Sequence, residues 1–150
     1  MIREMTVKDY PIYHKMARRF YNSPAVLHQL PDEIYEKSFH EMVSGSPFIK
    51  GYLIEEGEET AGYMILSFTF SAEVGGMVVL VEELYLEDAF RGNGLGSKAL
   101  DFVRKAYPDA ARFRLEVTEE NQGAIRLYER MGYQPLEYRQ MVIDFTEEEK

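Results

Sequence analysis

The pattern of apolar and polar positions divides this chain at Pro47, with helix signals before it and strand signals after it. Residues 2–5 alternate weakly and predict a short first strand. Thr6 and Asp9 have the spacing of a capping box and predict a helix over residues 7–21, with Pro11 in its first turn, where a missing N–H costs least. Asn22-Ser23-Pro24 stops that helix, and residues 25–30 are apolar without a period, which fits a loop or a short helix. Pro31-Asp32-Glu33 opens a second helix that Gly45-Ser46-Pro47 ends. Residues 48–55, 60–71 and 77–86 are then rich in aromatic and branched side chains, and turn-like segments separate them. They predict a three-stranded antiparallel meander. A glycine-rich turn follows, then a helix ending near Tyr107-Pro108, a strand over 112–118, a helix over 122–131 closed by Gly132, and strands over 133–136 and 137–145. The order is mixed α/β with a strand–helix–strand crossover late in the chain.

Composition narrows the setting. A chain of 150 residues with 45% hydrophobic content fits one domain, residues 1–150, with its own core. No apolar stretch approaches the ~20 residues that span a bilayer, and the opening Met1-Ile2-Arg3-Glu4-Met5 lacks the pattern of a secretory signal, so the expected place is the cytoplasm, off the membrane. Cysteine is absent, which removes disulfides, thiolate metal sites and a cysteine nucleophile together. The net charge of −9 opposes binding to nucleic acid and attracts a cationic small partner, although it also serves solubility. His14, His28 and His40 lack metal-ligand spacing, so no metal is expected, and the acidic tail over 146–150 reads as a solvated end.

The candidate chemistry lies in Arg91-Gly92-Asn93-Gly94-Leu95-Gly96-Ser97, between a strand and a helix. Glycines at a helix start leave backbone N–H groups open, and the helix dipole adds partial positive charge, so such a turn can hold a phosphate group. A nucleoside-triphosphate loop would place lysine directly after the last glycine, but Ser97 precedes Lys98. Gly94, Gly96 and Ala99 satisfy a dinucleotide pattern, with Glu116 at a suitable distance beyond. Position weakens that rival. Five residues separate the strand from the first glycine, Glu116 falls in mid-strand, and an antiparallel meander stands where a parallel sheet should begin.

Arg91 to Gly96, with Glu83-Leu84-Tyr85-Leu86 before it and the run from Asn121 through Ala124 and Tyr128 to Gly132 after it, resembles the GCN5-related N-acetyltransferases, which carry acetyl from acetyl-CoA to an amine. The resemblance is strongest over residues 78–133. It implies an α/β fold with a mixed sheet of about six or seven strands and about four helices. It also implies acetyl-CoA as co-substrate, a small and cationic amine as acceptor, with a protein amine still possible, and a possible homodimer whose interface no segment identifies.

The same resemblance assigns roles. The backbone of Leu84, Tyr85 and Leu86 would pair with the pantetheine arm, and an N–H near Leu86 would polarise the thioester carbonyl. Arg91, Gly92, Asn93, Gly94, Leu95, Gly96 and Ser97 would hold the pyrophosphate, with Arg91 either touching phosphate or holding the turn. Asn121 would bond the cofactor arm or cap the helix. Tyr128, protonated at neutral pH, would return a proton to the departing thiolate, or it would simply pack its amphipathic helix. Glu82 and Glu83 are adjacent charges in an apolar strand, where an unpaired carboxylate is costly, and strict alternation sends them to opposite faces. Glu82 is expected as base and Glu83 as amine anchor, unless both pair with Arg112 or Arg114. His28 lies in the segment expected to line the acceptor site, or on the surface.

Overall fold

The computed structural model describes residues 1–145, so the acidic tail lies outside the described residues. The elements are β1 (Ile2–Glu4), a 3-10 turn at Val7–Asp9, α1 (Tyr10–Tyr21), α2 (Asp32–Val43), β2 (Ile49–Glu56), β3 (Glu59–Ser71), β4 (Gly76–Leu86), a second 3-10 turn at Asp88–Phe90, α3 (Leu95–Ala106), β5 (Arg112–Leu115) and α4 (Gln122–Arg130). The entry to α1 is fixed by Asp9, whose carboxylate accepts from the Thr6 N–H at 2.7 Å and from the Arg3 guanidinium at 2.9 and 3.0 Å. Arg3 also reaches Glu55 on β2 at 3.1 Å, so one guanidinium ties β1, β2 and the start of α1 together. The hydrogen bonds from Arg3 lead in holding the Asp9 carboxyl below the usual carboxylate range, against the opposing effect of burial.

The strands form one sheet in the order β1-β2-β3-β4-β5. The first three neighbour pairs are antiparallel, and β4 with β5 is parallel. Along β3 the side chains alternate as a pleated strand requires. Tyr63 and Ile65 join the core beneath α1 and α2, and Met64 and Leu66 join the core beneath α3. Helix α1 covers the first face with Tyr13, Met16, Ala17 and Phe20, and α3 covers the second with Leu95, Ala99, Leu100 and Val103. Both sets recur every three or four residues, so each helix presents a single apolar stripe.

On β4 the alternation breaks. Ile65 pairs with Glu83 and Leu66 with Val81, which leaves Glu82 as an extra residue in a β-bulge. Val79 and Val81 therefore face the α3 core, while Glu83 and Tyr85 face α1 and α2. Strict alternation would have placed all four on one face.

The sheet has five strands among the described residues, fewer than the six or seven expected. The expected strands over 133–136 and 137–145 are not in it. Chain direction gives the reason: Tyr138 donates to Glu73 in the turn between β3 and β4, and Glu73 also holds Arg112 at the start of β5, so the segment passes that strand's end instead of following its edge. The strand expected over 112–118 ends at Leu115, because Thr118 turns away and donates to the carbonyl of Pro24 at 3.1 Å.

Gly62 on β3 packs against the end of β4 so closely that a Cβ there would lie 2.0 Å from the Tyr85 carbonyl oxygen. Backbone cannot retreat as a flexible side chain can. Gly62→Ala should lower stability in urea denaturation by about 1–3 kcal/mol or more, whereas Gly123→Ala, which meets open space in α4, should be neutral or stabilising by roughly 0.5–1 kcal/mol.

Candidate active site

The parallel ladder between β4 and β5 runs only from Val78 with Arg112 to Val81 with Leu115. Strand β4 continues to Leu86, paired with β3 alone. Along Leu84, Tyr85 and Leu86 the backbone groups on the β5 side have no strand partner among the described residues, so the two strands part as a wedge. An extended chain can enter a wedge of this kind as one more strand.

The turn after β4 lies at the wedge's open end. Gly92 and Gly94 have φ of 82° and 81°, the left-handed region, and a Cβ at either would meet nothing, so conformation and not space calls for glycine. Gly94 precedes α3, and Lys98 makes the first helical bond back to its carbonyl. The N–H groups of Leu95, Gly96 and Ser97 then precede the first bonded turn and form the donor cluster of a helix N-terminus. Gly96 has a packing role as well, since a Cβ there would lie 2.9 Å from Leu127 of α4. Arg91 donates to the carbonyl of Leu86 at 2.9 Å, pairs with Asp88 at 3.1 Å and lies over the Tyr85 ring. It holds the turn.

Helix α4 follows β5 in the chain and packs Leu127 against Gly96 of α3. Asn121 caps it, its side-chain oxygen accepting from the Ala124 N–H at 3.3 Å. Tyr128, two turns on, packs edge-on to Tyr133 at 6.2 Å between ring centroids. Burial raises the Tyr128 phenol above its ordinary value, so it is protonated at neutral pH. The Tyr133 hydroxyl is buried with no hydrogen-bond partner among the described residues.

On the other face, α1, α2 and the bulged part of β4 enclose a cavity of about 250 Å3. Tyr13, Tyr21 and Tyr35 line it, with both Glu82 and Glu83. Glu82 is exposed and Glu83 is 9% exposed. The Tyr63 hydroxyl donates to Glu83 at 2.7 Å and the Tyr21 hydroxyl donates to its other oxygen. Burial pushes the Glu83 carboxyl up to about 7, the two phenolic hydrogen bonds offset part of that, and the neighbouring Glu82 charge adds to it. Beside the cavity, Glu87 accepts from Tyr85 at 2.7 Å and from Arg19 of α1. Burial raises the Glu87 carboxyl, but these partners more than offset it and hold it below its ordinary value.

A wedge beside a strand, a phosphate-ready turn and a capped helix with a protonated tyrosine make a constellation that the comparisons decide. A model of the acetyltransferase (GNAT) family matches residues 10–133. The chain belongs to that family. Thialysine N-epsilon-acetyltransferases from Sus scrofa and Mus musculus are each 32% identical to it over 83 residues, 54% of this chain and 48% of theirs. The chain thus spans about half the length of the curated relatives it matches. Among solved structures, the integron cassette protein HFX_CASS3 from the Cole Harbour Salt Marsh metagenome has TM-score 0.81 at 24% identity, covering 97% of this chain and 90% of that one. The aminoglycoside N-acetyltransferase AAC(6')-Iy, in complex with CoA, has TM-score 0.78 at 14% identity, covering 97% and 95%. These two show a shared fold.

The GNAT fold brings together most of the residues singled out in the sequence. Leu84, Tyr85 and Leu86 line the wedge, and the segment from Arg91 to Ser97 forms the turn at its end. Asn121 and Tyr128 lie on α4. Glu82 and Glu83 share one cavity because of the bulge, contrary to strict alternation, and neither pairs with arginine: Arg112 binds Glu73 and Arg114 approaches Glu116. His28 is exposed and does not line the cavity. No group of three or more metal-ligating side chains occurs among the described residues. Glu116, expected in mid-strand, falls just beyond β5, where a dinucleotide fingerprint would want it, so the case against that alternative rests on the sheet, which has one parallel pair among the described residues.

Sequence reasoning missed Tyr13, Tyr21, Tyr35 and Tyr63. A signal existed for two of them, because Tyr13 and Tyr21 lie eight residues apart on one helical stripe. Tyr63 meets them only through the fold.

Glu83 makes stability depend on pH with a defined sign. Its folded value of about 7 exceeds the ordinary 4.5, so between these the folded state holds a proton the unfolded state has released. Its contribution falls as pH rises through that window and is constant above it. Glu83→Gln removes the titration. From pH 4.5 to 7, wild type should lose a few kcal/mol relative to this variant in paired denaturation curves, at ~1.4 kcal/mol for each pH unit between the two values. Parallel stability curves would contradict the raised value.

Proposed function

We propose that this protein is an N-acetyltransferase that moves acetyl from acetyl-CoA to the primary amine of a small, cationic acceptor by direct attack. The observation that carries the reading is Glu83, a carboxyl with a near-neutral pKa in an aromatic cavity, on the strand whose backbone also edges the wedge. Acetyl-CoA supplies the activated thioester. The wedge at Leu84, Tyr85 and Leu86 suits its amide-bearing arm, and the N–H cluster at Leu95, Gly96 and Ser97 suits its pyrophosphate. The family and the thialysine-acetylating relatives support amine acetylation.

The residues divide the work as follows. Exposed Glu82 draws an ammonium group to the cavity, where the faces of Tyr13, Tyr21 and Tyr35 favour a cation. Glu83 takes the ammonium proton, directly or through a water, which frees the nitrogen lone pair to attack the carbonyl carbon. Sequence alone suggests these two roles in the opposite order; the burial of Glu83 and its two tyrosine donors favour exchanging them. A backbone N–H near Leu86 stabilises the negative charge that develops on the carbonyl oxygen. Tyr128 then donates its proton to the thiolate as the carbon–sulfur bond breaks, and the second proton of the attacking nitrogen returns through water to the phenolate, leaving a neutral amide and the free thiol. Asn121 positions this helix by capping it. The chain acts as one domain in the cytoplasm, away from nucleic acid and membrane.

Coenzyme A should raise the melting temperature, and a panel of amines with acetyl-CoA should release thiol fastest with a cationic, non-protein acceptor. Glu83→Gln should lower kcat/KM by roughly 10²–10⁴ and abolish an acid limb near pH 7, while Tyr128→Phe should lower kcat with little effect on the coenzyme A thermal shift. Absence of any coenzyme A shift would overturn the reading. Turnover by Glu83→Gln with an unchanged pH profile would return the base to Glu82.

A further inference from the structure

The cavity between the sheet and helices α1 and α2 carries its charges at one end. Glu82 and Glu83 are the only charged side chains that line it among the described residues, and the bulge sets them side by side on β4. From there the wall turns apolar. Ile65 stands opposite Glu83 on β3, Gly51 stands opposite Ile65 on β2, and Ile49 lies further along β2 on the same face. Strand spacing puts that part of the wall about 10 Å from the carboxylates. Leu30, Ile34 and Met42 complete it. Outside the cavity, the charges that act on Tyr35 are Arg18 and Asp32; both are exposed, and Asp32 is bonded to His14 at 3.1 Å.

We propose that the acceptor is a primary monoamine with an apolar body, its one ammonium group at Glu82 and Glu83 and its body along Ile65, Ile49 and Met42. This rests on the acetyl-transfer reading and narrows it. Charge decides against a diamine or polyamine, whose second ammonium would be buried at the apolar end with no carboxylate to pair it. Charge decides equally against an acceptor that ends in a carboxylate, since no cationic side chain lines the cavity among the described residues. A hydroxyl-rich acceptor fares no better, because Leu30, Ile34, Met42, Ile49 and Ile65 offer it no hydrogen bond and the Tyr21 hydroxyl is committed to Glu83. Size sets the upper limit. A cavity of about 150 Å3 holds benzene, so one of about 250 Å3 takes a body of about ten non-hydrogen atoms.

The pair n-pentylamine and 1,4-diaminobutane gives a direct test, because the two match in length and differ by a terminal methyl against a terminal ammonium. With acetyl-CoA as donor and thiol release as readout, kcat/KM should be roughly 100-fold or more higher for n-pentylamine. From n-propylamine to n-hexylamine it should rise about fourfold for each added methylene. Ile34→Glu sets a carboxylate in the apolar wall, and it should move the ratio roughly tenfold toward the diamine while the coenzyme A thermal shift stays as in wild type. Turnover of 1,4-diaminobutane or 6-aminohexanoate that equals or exceeds that of the alkylamines, or a flat alkylamine series, would overturn this inference and leave acetyl transfer standing. So would an unmoved ratio in an Ile34→Glu protein that keeps its coenzyme A shift. Thiol release with none of these amines would overturn the inference, and absence of the coenzyme A shift as well would overturn the acetyl-transfer reading beneath it.

Discussion

The extra residue at Glu82 is the constraint on which the rest of the site depends. A regular β4 would send Val79, Val81, Glu83 and Tyr85 to one face, and Glu83 would enter the apolar core beneath α3. The bulge reverses the pleat midway, so the valines seal that core while Glu83 reaches Tyr63 and Tyr21 on the opposite side. Bulges also increase local twist, and β4 loses its β5 partner at the same point. One backbone irregularity thus accounts for the placement of the carboxyl and coincides with the opening of the wedge.

Glu83 is balanced between two extremes. A buried carboxyl with no donors stays protonated to high pH and is useless as a base, whereas one held by an arginine titrates far below neutrality and barely accepts a proton. Asp9 is the second case in the same molecule, with Arg3 as its partner. Two neutral phenolic donors offset part of the desolvation of Glu83 and leave it between these limits. Burial raises both tyrosines above their ordinary values, so they act as donors throughout the range in which the carboxyl titrates.

What could be read from the sequence followed from local requirements. The glycine turn was legible because left-handed backbone at Gly92 and Gly94 demands a residue without a side chain, and the cap at Asn121 because its oxygen serves a donor three residues away. Helix stripes and the antiparallel meander came from periodicity. The facing of Glu82 and Glu83 was misread because a bulge breaks the period of two without leaving a mark in the residues. The tyrosines around Glu83 are separated by up to fifty positions, and only topology brings Tyr13, Tyr21 and Tyr63 together. Residues 137–145 have strand propensity, but propensity becomes a strand only where a partner edge runs alongside.

The placement of the helices has a consequence for how this chain can diversify. Most of the cavity wall opposite β4 comes from α1 and α2, on one face of the sheet, whereas the turn and α4 belong to the other face. Substitutions at positions such as Ile34, Tyr35 or Ser38 can reshape the cavity without touching the wedge or Gly94. On the proposed reading, acceptor preference can therefore drift through mutation in one layer while the donor half is preserved in the other. A change at Glu82 or Glu83 has no such freedom, because the strand that bears them is shared by both.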